Sequence, residues 1–211
     1  MANLDELIDG LAREAVALKP APQPFKLWLY LLLAALLYLA VCLGVSGLRP
    51  DAAQAWQQPW LRAEIGLLFM ILLSGTLSAA LLSFPDLGQH RALVRLPAWL
   101  CAGFGVLLYF SWRSQLLPAP LPAHDYQCTL CITLVALAPA SSMLWIMRQY
   151  ACTHYRAAGS IALLSAFSIG ALWLRLHEVN NSIVHVLQWH YLPMLAVGLI
   201  GLCLGRALLK W

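Results

Sequence analysis

Six apolar runs, each about as long as a bilayer is thick, decide most of what this chain can become. A helix crossing the hydrocarbon core takes about 20 residues. The sequence offers Leu27–Leu48, Leu61–Phe84, Val94–Trp112, Cys128–Met147, Ala157–Leu174 and Tyr191–Leu209. The first reads LWLYLLLAALLYLAVCLGVSGL, with no charge in it. Within a bilayer each backbone N–H and C=O needs a partner inside the protein, so runs of this length predict helices. The charge content agrees. Only 10% of the 211 residues are charged and 62% are hydrophobic, whereas a soluble domain carries about 25% charged residues. The expected fold class is all-α: an integral membrane bundle of six transmembrane helices in residues 26–211, behind a short cytoplasmic amphipathic helix in residues 1–25.

The segments between the runs, such as RPDAAQAWQQPW and PAPLPAHDYQ, are polar and rich in proline, as loops are. Pro97 and Pro193 stand near the starts of the third and sixth runs, where a missing N–H costs little. Pro139 falls in the middle of the fourth. There it should kink the helix and free a carbonyl, to be satisfied by a neighbouring helix or by Ser141 and Ser142. Gly201 and Gly205, like Ser74 and Ser78, are four residues apart, a spacing that lets helices approach closely. Packing within the bundle explains them better than a dimer face.

Orientation follows from the cations flanking the runs. Arg13, Lys19, Lys26, Arg91, Arg95, Arg148, Arg156, Arg206 and Lys210 fall on the N-terminal side, against Arg49, Arg62, Arg113 and Arg175 on the other. Nine against four of the 13 Lys and Arg residues places both termini of this multi-pass chain in the cytoplasm. The first twenty residues are acidic and amphipathic, unlike the basic and then apolar pattern of a cleavable signal.

Several function classes lose their basis in these residues. Transporters and intramembrane enzymes keep ionisable groups inside the membrane. Here Glu64 and Arg206 sit near span ends, and the middles of the runs are bare. LLSGTLS does not supply the Gly-x-Ser-Gly setting of a rhomboid protease, and there is no phosphate-cradling loop. A net charge of +4 without a basic block gives no sign of direct nucleic-acid binding. The chain is not expected to be an enzyme. Cys42, Cys101 and Cys203 lie within apolar runs and read as small buried hydrophobes.

Function is therefore expected at the water-facing ends. At the cytoplasmic end, Leu4, Leu7, Ile8, Leu11, Ala15 and Leu18 recur at three- and four-residue steps and share one helical face. Asn3 and Glu6 match a capping box, and Asp5 and Glu6 suit a helix N-terminus. Helices lying on lipid are usually basic, so the acidic Asp5, Glu6, Asp9 and Glu14 favour a helix that docks a partner. The expected binding surface is Leu4, Leu7, Ile8 and Leu11 with Asp5, Glu6 and Asp9 at its rim.

At the other end, HDYQCTLCITL carries His124, Cys128 and Cys131 at the start of the fourth run. The connection between the fifth and sixth runs, on the same side, carries His177, Glu178, His185 and His190. Thiolate and imidazole suit zinc, copper or cadmium. Two cysteines within one helical turn are poorly placed to bridge each other, which leaves metal binding or mixed oxidation. The plain alternative is two small residues at a helix start and a few interfacial histidines. No cofactor is required by this pattern; a transition metal ion enters as a signal.

The N-terminal LDELIDGLAREA, the GLRPD after the first run and the ending WHYLPMLAVGLIGLCLGRALLKW together resemble the NrsF family. These are six-span bacterial inner-membrane anti-sigma factors that hold an extracytoplasmic-function sigma factor of the SigF type. The resemblance implies that the cytoplasmic segment sequesters the sigma factor and that external heavy-metal or redox stress, sensed through cysteines, releases it. One family cysteine falls near the start of the fourth span, where this chain has both Cys128 and Cys131. The second follows a histidine after the fifth span. In LHEVNNSIVHVLQW, His177, Ser182 and Trp189 match that pattern, but Glu178 stands where the cysteine would be. Two other classes stay open at this point: a quinone-linked, DsbB-like thiol oxidoreductase, and a small six-span metal permease.

Overall fold

The structure is a computed structural model and describes residues 6, 8–10, 23–85, 91–113, 126–150 and 152–210. Six helices are long and apolar enough to cross a membrane: α1 (Pro24–Ser46), α2 (Pro59–Leu82), α3 (Arg91–Arg113), α4 (Tyr126–Arg148), α5 (Tyr155–His177) and α6 (Ile183–Leu208). A single helical turn, Ala52–Ala55, interrupts the connection from α1 to α2. Each expected run falls on one of these helices, and there is no strand among the described residues. The N-terminal amphipathic helix is described only at Glu6 and at residues 8–10, which are helical and exposed. Leu4, Asp5, Leu7 and Leu11 lie outside the described residues.

Helix α5 is the centre. In its most apolar stretch 78% of residues are buried, against 22% for α1, α3 and α6, and it packs against α6, α2, α4 and α1. Lipid offers no hydrophobic drive for helices to associate, so close approach over small residues takes its place. A Cβ at Gly201 would lie 2.6 Å from Ser160 Cα, and one at Gly205 would overlap the Tyr155 carbonyl. On the opposite face, a Cβ at Gly75 would meet Ser165 Cβ at 3.0 Å. The Gly201/Gly205 pair is thus a contact of α6 with α5 inside one bundle. Leu29, Leu33, Leu37 and Val41 of α1 point outward, where acyl chains would cover them. Of the three cysteines expected to be buried, Cys101 is; Cys42 is half-buried and Cys203 is exposed.

The prolines show how one helix satisfies another. Proline has no N–H, so the carbonyl four residues earlier loses its helical donor. Tyr38 Oη donates to the Val135 carbonyl at 2.9 Å, four residues before Pro139. The neighbouring helix supplies the donor there, while Ser141 and Ser142 donate instead to the carbonyls of Ala138 and Pro139. Pro97 lies inside α3 rather than at its start, and Ser78 Oγ donates to the Leu93 carbonyl at 2.9 Å. Thr129 Oγ1 does the same for the Trp189 carbonyl, four residues before Pro193, at 2.7 Å. Three prolines thereby pin α4 to α1, α3 to α2 and α6 to α4.

The membrane interior is not as bare as the runs imply. Glu64 on α2 and Arg175 on α5 are both fully buried. Arg175 Nε lies 2.8 Å from Glu64 Oε1, and its Nη2 donates to Oε2 at 2.9 Å, a two-pronged ion pair. Each residue looks peripheral in sequence. Antiparallel packing of α2 and α5 brings them to one depth, where an unpaired charge would be prohibitive.

Candidate metal centre

The end of the bundle that holds the 178–182 connection is tied down by backbone and arginine contacts. Glu178 follows α5 in an extended conformation (φ −85°, ψ 142°), and its N–H donates to the Leu174 carbonyl at 2.7 Å. Arg175 Nη1 donates to the Asn180 carbonyl at 2.6 Å. Arg49, buried and paired with Asp51 at 2.7 Å, donates to Asn181 Oδ1 at 3.1 Å and to the Val179 carbonyl at 3.2 Å. Ser182 then opens α6, its hydroxyl accepting from the His185 N–H at 3.5 Å.

Sequence reasoning places His185 and His190 in a connection. The structure places them in the first turns of α6, which starts at Ile183 and runs through a π-helical stretch, Val186–Tyr191. The π geometry matters. Residues five apart on an α-helix point about 140° away from each other at 3.6 residues per turn, whereas i→i+5 bonding widens the turn and brings them round together. The two rings stand 5.2 Å apart, edge to face. Thr129 anchors the start of α4 to this stretch, which sets its neighbour Cys128 facing the same space.

Cys128, Glu178, His185 and His190 converge there, with one ligand atom from each lying within 4.8 Å of all the others. Cys128 Sγ is 3.8 Å from Glu178 Oε1, His185 Nε2 is 3.5 Å from the same oxygen, and His190 Nε2 is 3.8 Å from Oε2. Both histidines are buried, while Cys128 and Glu178 are half-buried. Neither ring nitrogen of His190 has a hydrogen-bond partner, nor does Glu178 Oε2. Buried polar atoms are normally satisfied, so this is an arrangement of donors converging on a point. A thiol, a carboxylate and two imidazoles suit a borderline divalent ion.

The other residues singled out from sequence stand apart. Cys131 is exposed, on the outer side of α4. His177 stacks on Trp173 with ring centroids 5.7 Å apart, and its Nδ1 meets the Gly47 carbonyl at 3.0 Å. His124 lies outside the described residues. Cys152 is buried at the far end of the bundle, its Sγ 3.4 Å from the Met147 carbonyl, and burial pushes its thiol up from the usual range. Among the described residues no second thiol pair stands beside Cys128, which a DsbB-like relay would use. Sequence reasoning missed Arg49, Arg175 and Glu64 as parts of this end, counting the arginines only as markers of orientation.

A polytopic helical bundle, with membrane-length helices and a polar cluster at one end, is the class that this architecture defines. The chain belongs to the NrsF family, described as "Negative regulator of sigma F", which matches residues 11–211. It is 33% identical over 217 residues to the Anti-sigma-F factor NrsF of Caulobacter vibrioides (strain NA1000 / CB15N), covering 98% of this chain and 99% of that protein. No solved structure matches. Membership makes the chain a negative regulator of a sigma factor, not an enzyme, and agrees with the resemblance of its terminal motifs.

Proposed function

We propose that this protein is an inner-membrane anti-sigma factor that holds an extracytoplasmic-function sigma factor through residues 1–25 and releases it when metal or oxidant reaches the Cys128 end. The observation that carries the reading is a cluster of metal-type ligands, two of them buried histidines, at one end of the bundle in a member of a family of sigma-factor regulators. The cation bias supports a cytoplasmic N-terminus and a periplasmic Cys128 end. Lys26, Arg91, Arg95, Arg148, Arg156, Arg206 and Lys210 are exposed on the N-terminal side, whereas Arg49 and Arg175 opposite are neutralised in ion pairs.

A short isolated helix is marginal in water, and ordering it only on binding lowers affinity and eases release. Helices α4 and α6 both reach the cluster and run to the opposite end, so a shift in their packing is the means of transmission. The signal must bind the releasing arrangement more tightly than the holding one. Burying a leucine side chain is worth about 1.5–3 kcal/mol, so Leu7→Asp with Leu11→Asp should abolish membrane retention of the sigma factor. Retention by that double variant would overturn the assignment of the binding surface to residues 1–25.

A further inference from the structure

We propose that Cys128 Sγ, a carboxylate oxygen of Glu178 and one ring nitrogen each of His185 and His190 form a tetrahedral site for a single divalent ion of the zinc class, and that the cluster is not an intramolecular disulfide switch. This deepens the signal proposed above and rests on that reading for its role in release; binding of the ion does not depend on it.

Geometry comes first. Bonds of about 2.0–2.3 Å in a tetrahedron put neighbouring ligand atoms about 3.3–3.8 Å apart. Around Glu178 Oε1, His185 Nε2 at 3.5 Å and Cys128 Sγ at 3.8 Å already stand at those edges; His190 Nε2 is 3.8 Å from the other oxygen, Oε2, and one ligand atom from each of the four lies within 4.8 Å of the rest. The histidine–carboxylate separations are also too long for good hydrogen bonds. His190 is 3% exposed and has no hydrogen-bond partner at either nitrogen. An ion at the centre supplies what that ring lacks.

Charge selects the class of ion. As the sulfur–metal bond forms, the Cys128 thiol releases its proton to solvent. One thiolate, one carboxylate, two neutral imidazoles and a divalent cation then sum to zero. A monovalent copper ion would leave a net negative charge, and a trivalent ion a positive one, at a site half out of water where net charge is costly. Mixed sulfur, nitrogen and oxygen donors favour zinc, cobalt or cadmium over magnesium or calcium.

The same residues argue against a disulfide switch within the cluster. A disulfide from Cys128 needs a second thiol, and the side chain that Cys128 Sγ meets at 3.8 Å is the carboxylate of Glu178. Cys131 is exposed on the outer side of α4, and Cys152 is buried at the other end of the bundle. An ion held by Cys128 of α4, Glu178 of the connection and two residues of α6 would instead clamp three elements together.

The test uses the full chain purified in detergent, stripped with chelator and titrated with cobalt. One cobalt per chain should bind, with the visible bands of a tetrahedral ion and a thiolate-to-cobalt charge-transfer band, and zinc should displace it. Cys128→Ser should remove the charge-transfer band, and this variant, His190→Ala and Glu178→Gln should each weaken binding about tenfold or more. Cys131→Ser should leave the spectrum unchanged. Cys128→Ser is nearly isosteric, so it guards against loss of fold in the histidine variant. No cobalt bound to the folded wild-type chain, or a charge-transfer band that vanishes with Cys131→Ser and persists with Cys128→Ser, would overturn the site. Sigma-factor retention is scored in the same variants. Cobalt binding with retention indifferent to zinc would leave the site standing and remove its role as the signal.

Discussion

The two ends of the bundle handle charge in opposite ways. Where α1 begins, the cations stand in the open: Arg91 and Arg95 line a cavity of about 620 Å³ together with His154 and apolar side chains of α2, α5 and α6, and each of the three is exposed. Where α1 ends, Arg49, Glu64 and Arg175 are buried and paired, and the connection carrying Glu178 hangs from the two arginines. A solvated charge tolerates movement and replacement, since water compensates for a lost partner. A buried one holds its neighbours in place, because separating the pair strands a charge in low dielectric. The open end suits a surface that must take up and let go of a protein. The closed end suits a site whose ligand positions have to be set in advance.

The largest test of this contrast is Arg175→Met. Leaving Glu64 buried and alone should cost about 3–5 kcal/mol, and adding Glu64→Gln should recover most of it. Unfolding in detergent with a graded denaturant measures both. A single variant within about 1 kcal/mol of wild type would mean that water reaches the pair and that the two ends do not differ in kind.

A smaller effect belongs to the rim of the closed end. The Arg49 guanidinium beside Asp51 holds its carboxyl below the ordinary range. A lowered folded-state value means that the stabilisation is present above the unfolded value, about pH 3.9, and is lost as pH falls through the folded one. Melting temperature followed downward from neutral pH should show an acid-dependent fall that Asp51→Asn reduces. An identical fall in the variant would assign it to other carboxylates.

The smallest effect is expected at the open end. Arg95→Gln removes an exposed charge and should change stability by no more than about 0.5 kcal/mol. A loss approaching that of Arg175→Met would show a buried partner for Arg95 and erase the contrast.

Local pattern was enough for a large part of this protein. Apolar length predicts the six helices, because a segment in lipid has to satisfy its own backbone. Four-residue spacing of small residues picks out the Gly201/Gly205 contact with α5, and residue chemistry alone nominates seven candidates, of which Cys128, Glu178, His185 and His190 converge while Cys131 and His177 stand apart and His124 lies outside the described residues. These readings need only neighbours along the chain. The pairing of Arg175 with Glu64 spans 111 residues, and Cys128 meets Glu178 across 50. Such contacts depend on how each helix is rotated and how deeply it sits against the next, which hydropathy does not encode. The same holds for the donors to the carbonyls freed by Pro97, Pro139 and Pro193, and for the setting of Cys128 apart from Cys131. The π turn that brings His185 and His190 together is a local deviation, but it shifts both residues from an expected loop into a helix. Composition could name the candidates; only the packing of α4 and α6 beside the end of α5 could bring four of them to one point.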